Sequence, residues 1–523
     1  MVEMVLFSVF LVLLFLGVPV AFSMGLSAFA AVIVGSGMNA LFPTAGIMYA
    51  SLSSETLLAI PFFILAGVIM EMTGISGRLI DLADKCVGHR KSGLALTTIL
   101  AALLFSSISG SGPATVAALG AILIPALAKH GYSKRHSASL VASAGEMGIV
   151  LPPSIAFIVF AVVASDYERV SIGRLFMAGV IPGVLLAIAF YLVARYLPRE
   201  GEKMKANAAL HREKAFSRIG GRKLARDLDS AESSHSADGS SDGVDAAAAD
   251  AHSGSAGHGK VSKQPFASGG VPTVTSSNEA IMTLEDIVPD GIKVGERKTR
   301  APWPEIGRAF MRAVPGLLVP VIILGGIYGG VFTPTESAAV ASVYALIVGL
   351  MVTRELKFKD IFKIFTTAGI QSSRIMIIIA AASLFAYVIT KYRIATAAAD
   401  AILSITDNVV LIILLINLSL LIAGMFLDAI SAFYLFVPIF VPVLLEMDVS
   451  ITTIGVTMTV NLALGLVTPP VGLDLFVAAG IAKIPFGEAV KGIWPFLGAG
   501  LAVLMLITFI PWLSNGLPDL LGL

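Results

Sequence analysis

The chain has 523 residues, of which 56% are hydrophobic and 14% charged, with a mean hydropathy of +0.88 and a formal net charge of +1. A soluble chain carries about 25% charged residues, so this composition cannot cover a water-facing surface and places the protein in a bilayer. Near-neutral charge leaves no footprint for nucleic acid, and a single cysteine, Cys86, excludes an internal disulfide and a cysteine-based metal cluster.

The N-terminal apolar run, 4–35, lacks a basic n-region and is far longer than the roughly 7 to 15 apolar residues of a removable signal. It reads as mature membrane structure. As one straight helix it would exceed a hydrocarbon core of about 30 Å, so it is expected to kink or split near Gly17-Val18-Pro19. Spans of about 20 residues are predicted near 3–18, 19–36, 55–76, 137–165 and 174–197. A second set falls near 313–331, 334–353, 370–390, 453–481 and 490–513. Thr333-Pro334-Thr335-Glu336 carries the signature of a capping box with Pro at the first helical position, which favours a new helix there.

The expected organisation is thus a first apolar unit over 1–198, a polar segment over 199–303 and a second apolar unit over 304–523. Within the middle segment, 231–259 is almost wholly Ser, Ala, Asp, Gly and His, with too few large apolar residues to offset the entropy of ordering it. It is expected to be a disordered cytoplasmic linker beside Arg195 and Arg199. His235, His252 and His258 have no fixed metal-ligand spacing, and Arg297 to Arg312 looks like a basic approach to the membrane.

Sliding the second apolar unit over the first reveals a repeat. Gly148-Ile149-Val150-Leu151-Pro152-Pro153 matches Gly465-Leu466-Val467-Thr468-Pro469-Pro470 at an offset of 317, which also aligns Ile124-Pro125-Ala126-Leu127 with Val441-Pro442-Val443-Leu444 and Thr73 with Thr390. Pro19 and Pro334 agree at 315. Lys85, Arg90 and Lys91 precede the stretch 93–128, and Lys129, Lys134 and Arg135 follow it, so both its ends are expected on the cytoplasmic side. The matching stretch 408–445 is flanked by Asp400, Asp407, Glu446 and Asp448 instead, which places both ends outside. Each is broken midway, the first at Ser109-Gly110-Ser111-Gly112-Pro113 and the second between Gly424 and Asp428. The expected fold is therefore all-α and polytopic, with two inverted-topology repeats, about ten spans and two re-entrant helical hairpins.

Glycines and hydroxyls at a hairpin tip let backbone and side-chain oxygens face a bound species, the alternative being small-residue packing between helices. At both Pro-Pro motifs the prolines cannot donate to a helix, so carbonyls three and four residues earlier lose their partners and suit Na⁺; a plain kink is the alternative. Three ionisable residues fall at or beside these motifs: Asp428, Glu146 and Asp474. Each is a candidate for a proton or cation, or a hydrogen-bonded partner within the helices. Glu55, Glu336, Lys391 and Arg393 read as caps or anchors, and Trp494 and Trp512 as interface anchors. There is no Walker A sequence or His-Glu-x-x-His, and no Gly-x-Ser-x-Gly elbow in either apolar unit. The chain carries no sign of an enzyme, and transport would have to draw on an ion gradient.

At these residues the sequence resembles the large membrane (M) subunit of the tripartite ATP-independent periplasmic, or TRAP, transporters. The similar stretches are Leu16-Gly17-Val18-Pro19-Val20-Ala21, 58–67, 109–118, 148–154, Pro334-Thr335-Glu336, Gly424-Met425-Phe426-Leu427-Asp428 and 461–477, spread over both apolar units. The resemblance implies an elevator-type secondary transporter of the bacterial inner membrane that takes up an organic acid with Na⁺. Its partners would be a small four-helix membrane subunit and a periplasmic substrate-binding protein. With no such subunit ahead of Met1, the small subunit is expected as a separate chain. Carried over by motif, one Na⁺ site would comprise Ser106, Ser109, Gly148, Leu151 and Pro153, and a second Gly424, Gly465, Thr468 and Val471. The solute's carboxylate would lie between the tips, near Ser111, Gly112, Thr115 and Asp428, and an Asp beside an anionic solute needs a cation nearby. Two departures stand out: the long linker, and Asp474 and Glu146 where the family usually has neutral residues. Either acid could alter ion stoichiometry or add proton coupling.

The competing readings are a stand-alone Na⁺- or H⁺-coupled anion transporter of the ion transporter superfamily that the resemblance implies, needing no binding protein, and, from other classes, a channel or a membrane enzyme. A channel needs a continuous polar pore lining, whereas the Pro-Pro helices flank the tips with mostly apolar residues.

Overall fold

The computed structural model describes residues 1–90, 92–196, 299–406 and 408–523. The linker expected over 199–303, with Arg199, His235, His252, His258 and Arg297, lies outside the described residues up to 298, as do Lys91 and Asp407.

All regular elements among the described residues are helical. The N-terminal apolar run splits: α1 (Val2–Phe15) ends before Gly17, whose φ of +80° turns the chain, and Pro19 caps α2 (Val20–Ser36). The two helices pack on one another. Pro begins rather than kinks a helix here because its fixed φ suits a first turn and its missing N–H is not needed there. The same holds at α13 (Pro334–Ile347), where Thr333 Oγ1 accepts from the Glu336 amide at 3.3 Å and Glu336 Oε2 accepts from the Thr333 amide at 2.8 Å. The capping box read from the sequence is present.

Between these lie α3 (Phe42–Leu52), α4 (Ala59–Met72), α5 (Ile75–Val87), α6 (Gly93–Ser109), α7 (Gly112–Lys129), α8 (Lys134–Val150), α9 (Ile155–Ala164), α10 (Ile172–Ala178), α11 (Val180–Tyr196) and α12 (Trp303–Tyr328). After α13 come α14 (Phe358–Lys391), α15 (Ile394–Ile405), α16 (Val409–Gly424), α17 (Ala429–Glu446), α18 (Ile451–Gly465), α19 (Leu473–Ala482), α20 (Phe486–Phe509) and α21 (Trp512–Leu520). Eight stretches are long and apolar enough to cross a membrane, or nine if α8 and α9, bent by 44° at their break, count as one span. The remaining predicted spans are built from shorter pieces: α1 and α2 have 14 and 17 residues, and α18 and α19 are separated by the second Pro-Pro motif. Short helices α3, α5, α15 and α21 were not anticipated, because their limited length hides them in span-sized windows.

Helix starts in the two units keep a constant spacing. Gly93 and Val409, Gly112 and Ala429, Lys134 and Ile451, and Ile155 and Leu473 are 316 to 318 residues apart. Packing is reciprocal across the units: α19 lies against α7 and α8, and α9 lies against α17. Phe160 of α9 meets Phe433 of α17 edge to face, with ring centroids 5.6 Å apart. Outside this inner group, α14 runs past α2, α3, α4 and α17, and α4 packs on α13. Buried side chains make up 78% of the apolar window of α17 but only 28% of that of α12. Apolar surface left uncovered on α12 suits lipid, whereas α17 belongs to the interior.

Removing a capping oxygen costs about 1 kcal/mol. Thr333→Ala should therefore lower the melting temperature of the purified protein, and Thr333→Ser should keep it; equal melting of all three would show that the box does not hold α13.

Candidate functional site

The chain is interrupted in the middle of four helical segments, and all four interruptions face one another in pairs. In the first pair, α6 ends at Ser109, Gly110 takes a left-handed φ of +62°, and Ser111 is the residue before α7. Opposite, α8 ends at Val150 and α9 begins at Ile155, with Ser154 capping the new helix by accepting from the Phe157 amide. A Cβ on Gly110 would sit 2.9 Å from the Pro153 carbonyl oxygen, and one on Gly148 would sit 2.9 Å from both the Ser111 carbonyl oxygen and Thr115 Oγ1. Bare backbone at these positions is what allows the tip to seat on the broken helix.

Among the described residues no hydrogen bond reaches the carbonyls of Leu151, Pro152 or Pro153. Buried carbonyls without donors are uncommon and call for a partner. Ser106 adds an unpartnered hydroxyl that is wholly buried, while Ser109 Oγ donates to the Ser111 carbonyl at 3.2 Å. The Leu151 side chain turns away, toward Gly183, so that only its backbone is offered to this side. Gly148, Pro153, Ser109 and the tip thus come together with oxygen donors suited to a hard cation.

The second pair is tighter. A Cβ on Gly465 would lie 2.6 Å from the Gly424 carbonyl carbon, and one on Gly424 would lie 3.0 Å from Gly465 Cα, so α16 and α18 touch backbone to backbone. Thr468 Oγ1 donates to the Leu464 carbonyl at 2.7 Å, and the carbonyls of Thr468, Pro469, Pro470 and Val471 receive no hydrogen bond among the described residues. Gly472, at φ +52°, turns the chain into α19, while the Val471 side chain is exposed. Both Pro-Pro bonds, 152–153 and 469–470, are cis.

Both tips border one cavity of about 540 Å³. Ser109, Gly110, Ser111 and Gly112 line it from the first tip, and Asp428, Ala429 and Ile430 from the second. Asp428 is engaged as the cap of α17: its carboxylate accepts from the Ile430 and Ser431 amides at 3.1 and 3.4 Å and from Ser431 Oγ at 2.6 Å. Thr115 lies behind the first tip rather than on the cavity wall, buried and donating to the Ser111 carbonyl at 2.8 Å.

The polar part of the facing wall comes from α4 and α14, through Glu71, Gln371 and Arg374. Arg374 is the one basic side chain among the residues lining the cavity. Sequence reasoning asked for a cation near the tips and did not find this one. The available signal was the polar run Gln371-Ser372-Ser373-Arg374 at the edge of a predicted span; because α14 extends to Phe358, the arginine sits well inside a 34-residue helix instead of at its end.

Long apolar helices around paired interrupted helices, with a small cavity at the interruptions, define an all-α, multi-pass membrane protein among the described residues. This chain belongs to the DctM component family of the tripartite ATP-independent periplasmic transporters, whose family model matches residues 7–224 and 270–513. It is a transport component of the bacterial inner membrane, not an enzyme. It is 35% identical, over 97% of its length, to the isethionate TRAP transporter permease protein DctMQ of Oleidesulfovibrio alaskensis, and spans 65% of that relative. It is also 34% identical to the C4-dicarboxylate TRAP transporter large permease protein DctM of Pseudomonas aeruginosa, over 90% of this chain and 87% of that one. Its fold resembles the crystal structure of the Alcanivorax borkumensis YdaH transporter, with a TM-score of 0.57 at 13% identity, covering 97% of this chain and 98% of that one.

Overpacking a close backbone contact costs about 1 to 3 kcal/mol. Gly465→Ala should lower thermal stability by that order, whereas Gly480→Ala on α19, where an added Cβ meets nothing within 4 Å, should not; differential scanning fluorimetry of the two side by side distinguishes a required contact from general sensitivity of α18 and α19.

Proposed function

We propose that this chain is the large membrane subunit that moves a small organic acid across the inner membrane with Na⁺, by an elevator-type displacement of the inner helices against the outer ones. The observation that carries the reading is the cavity where both helix-hairpin tips meet Arg374. Two inverted repeats, 1–198 and 304–523, with re-entrant hairpins at 93–128 and 408–445, account for the constant spacing of helix starts and for the reciprocal packing.

One Na⁺ is assigned to Ser106, Ser109 and the backbone at Gly148, Leu151 and Pro153. The other is assigned to Gly424, Gly465, Thr468 and Val471. Donors of this kind replace hydration without burying a carboxylate, so each ion adds positive charge beside a tip. The solute's acid group is assigned to Arg374 and to the Ser111-Gly112 turn at the start of α7, where helix N–H groups also favour an anion. Asp428 then serves by holding the second tip through its cap, and Thr115 by fixing the first. Seating of both ions would order the tips, and ordered tips would complete the solute site, which gives coupling without a covalent step.

Membership of the family supports delivery by a periplasmic substrate-binding protein and assembly with a small four-helix membrane subunit. The names of relatives, one for isethionate and one for C4-dicarboxylates, support a small organic acid as the solute. The linker over 199–303 is assigned to the cytoplasmic side.

Reconstitution with the two partner proteins tests this directly. Uptake of labelled organic acids into proteoliposomes should require an inward Na⁺ gradient and the binding protein, and should fall in Ser109→Ala and Thr468→Val. Loss of a charge-assisted hydrogen bond is worth about 1.5 to 3 kcal/mol, so Arg374→Ala should weaken uptake roughly 10- to 100-fold, and Arg374→Lys should restore it only in part. Uptake driven by a proton gradient alone, or without the binding protein, would overturn the coupled tripartite reading.

A further inference from the structure

Behind the first tip lie two acids that neither assigned Na⁺ site uses. Glu146 on α8 and Asp474 on α19 come from different units and have no solvent exposure, and none of their four carboxylate oxygens has a hydrogen-bond partner. They lie within electrostatic reach of one another. An unpaired carboxylate in a membrane interior is expensive, and two repelling ones more so; a proton on one of them or a cation shared by both relieves that cost.

The surroundings supply more oxygen. A Cβ on Gly112 would meet the Asp474 carboxylate oxygens at 2.6 and 3.3 Å, and one on Gly145 would meet the Gly112 carbonyl oxygen at 3.1 Å and Asp474 Oδ2 at 3.4 Å. The Asp474 carboxylate is therefore cradled between two residues without side chains, beside the first residue of α7. Two carboxylates without partners, beside a carbonyl, form an oxygen donor set for a hard cation.

We infer that Glu146 and Asp474, with the Gly112 carbonyl, form a third cation site that takes Na⁺ and ties α8 and the first hairpin tip to α19. The inference rests on the Na⁺-coupled reading above and extends it to a further ion. Because Gly112 belongs to both this site and the solute site, an ion here would fix the backbone against which the solute docks.

The test is a count of bound ions. Equilibrium binding of ²²Na⁺ to the purified full chain in nanodiscs should give three ions per wild-type chain, and two in both Asp474→Asn and Glu146→Gln. The two ions retained report that the variants are folded. Serial Na⁺ titration should show a lower Hill coefficient in the variants than in the wild type. A wild-type count of two, or an unchanged count in both variants, overturns the third site while leaving Na⁺ coupling standing. A wild-type chain that binds no Na⁺ overturns both readings together, whereas a count that falls in Ser109→Ala but not in Asp474→Asn or Glu146→Gln shows that the acid pair alone has failed.

Discussion

The structure depends on one constraint: inside hydrocarbon, a backbone carbonyl or amide without a partner is too costly to leave facing lipid. A helix satisfies these groups by itself, so an interrupted helix must hide its loose ends against something polar. Four interruptions occur here, after Ser109, Val150, Gly424 and Gly465, and each is turned toward another. Pairing a glycine-bearing tip with a Pro-Pro break brings carbonyls together, which suits a cation far better than it suits the protein alone.

Close approach is the second requirement, and glycine supplies it. Gly424 and Gly465 are in backbone contact, and Gly148 accepts the Ser111 carbonyl and the Thr115 hydroxyl where any side chain would intrude. Serine and aspartate then complete what the breaks leave open. Ser154 caps α9, and Asp428 caps α17 with both carboxylate oxygens. An acid at the tip of a hairpin is in this way tied to the backbone, and the guanidinium of Arg374 lines the same cavity.

Charge is distributed economically through the interior. Apart from the Asp428 carboxylate, the tip and break oxygens are neutral, Arg374 and Glu71 border the cavity, and the two wholly buried acids, Glu146 and Asp474, stand together where the first tip meets α19. Long aromatic contacts between α9 and α17, and between α11 and α20 through Phe190 and Phe496, hold the surrounding helices around this polar centre.

Much of this was legible in the sequence, because bilayer thickness, proline chemistry and helix capping act locally. The apolar runs placed the spans, Thr333-Pro334-Thr335-Glu336 announced its capping box, and the spacing of the Pro-Pro motifs brought out the correspondence between the two apolar units. Membership of the transporter family followed from the same motifs. Tertiary structure alone decided which side chains share the cavity: Arg374 reaches it because α14 continues back to Phe358, and Thr115 leaves it because its hydroxyl is spent on Ser111. It also decided that Glu146 and Asp474, 328 positions apart in the chain, lie together. Spacing along a sequence reports what one helix presents, whereas the meeting of two helices is set by packing between distant segments, which no local pattern encodes.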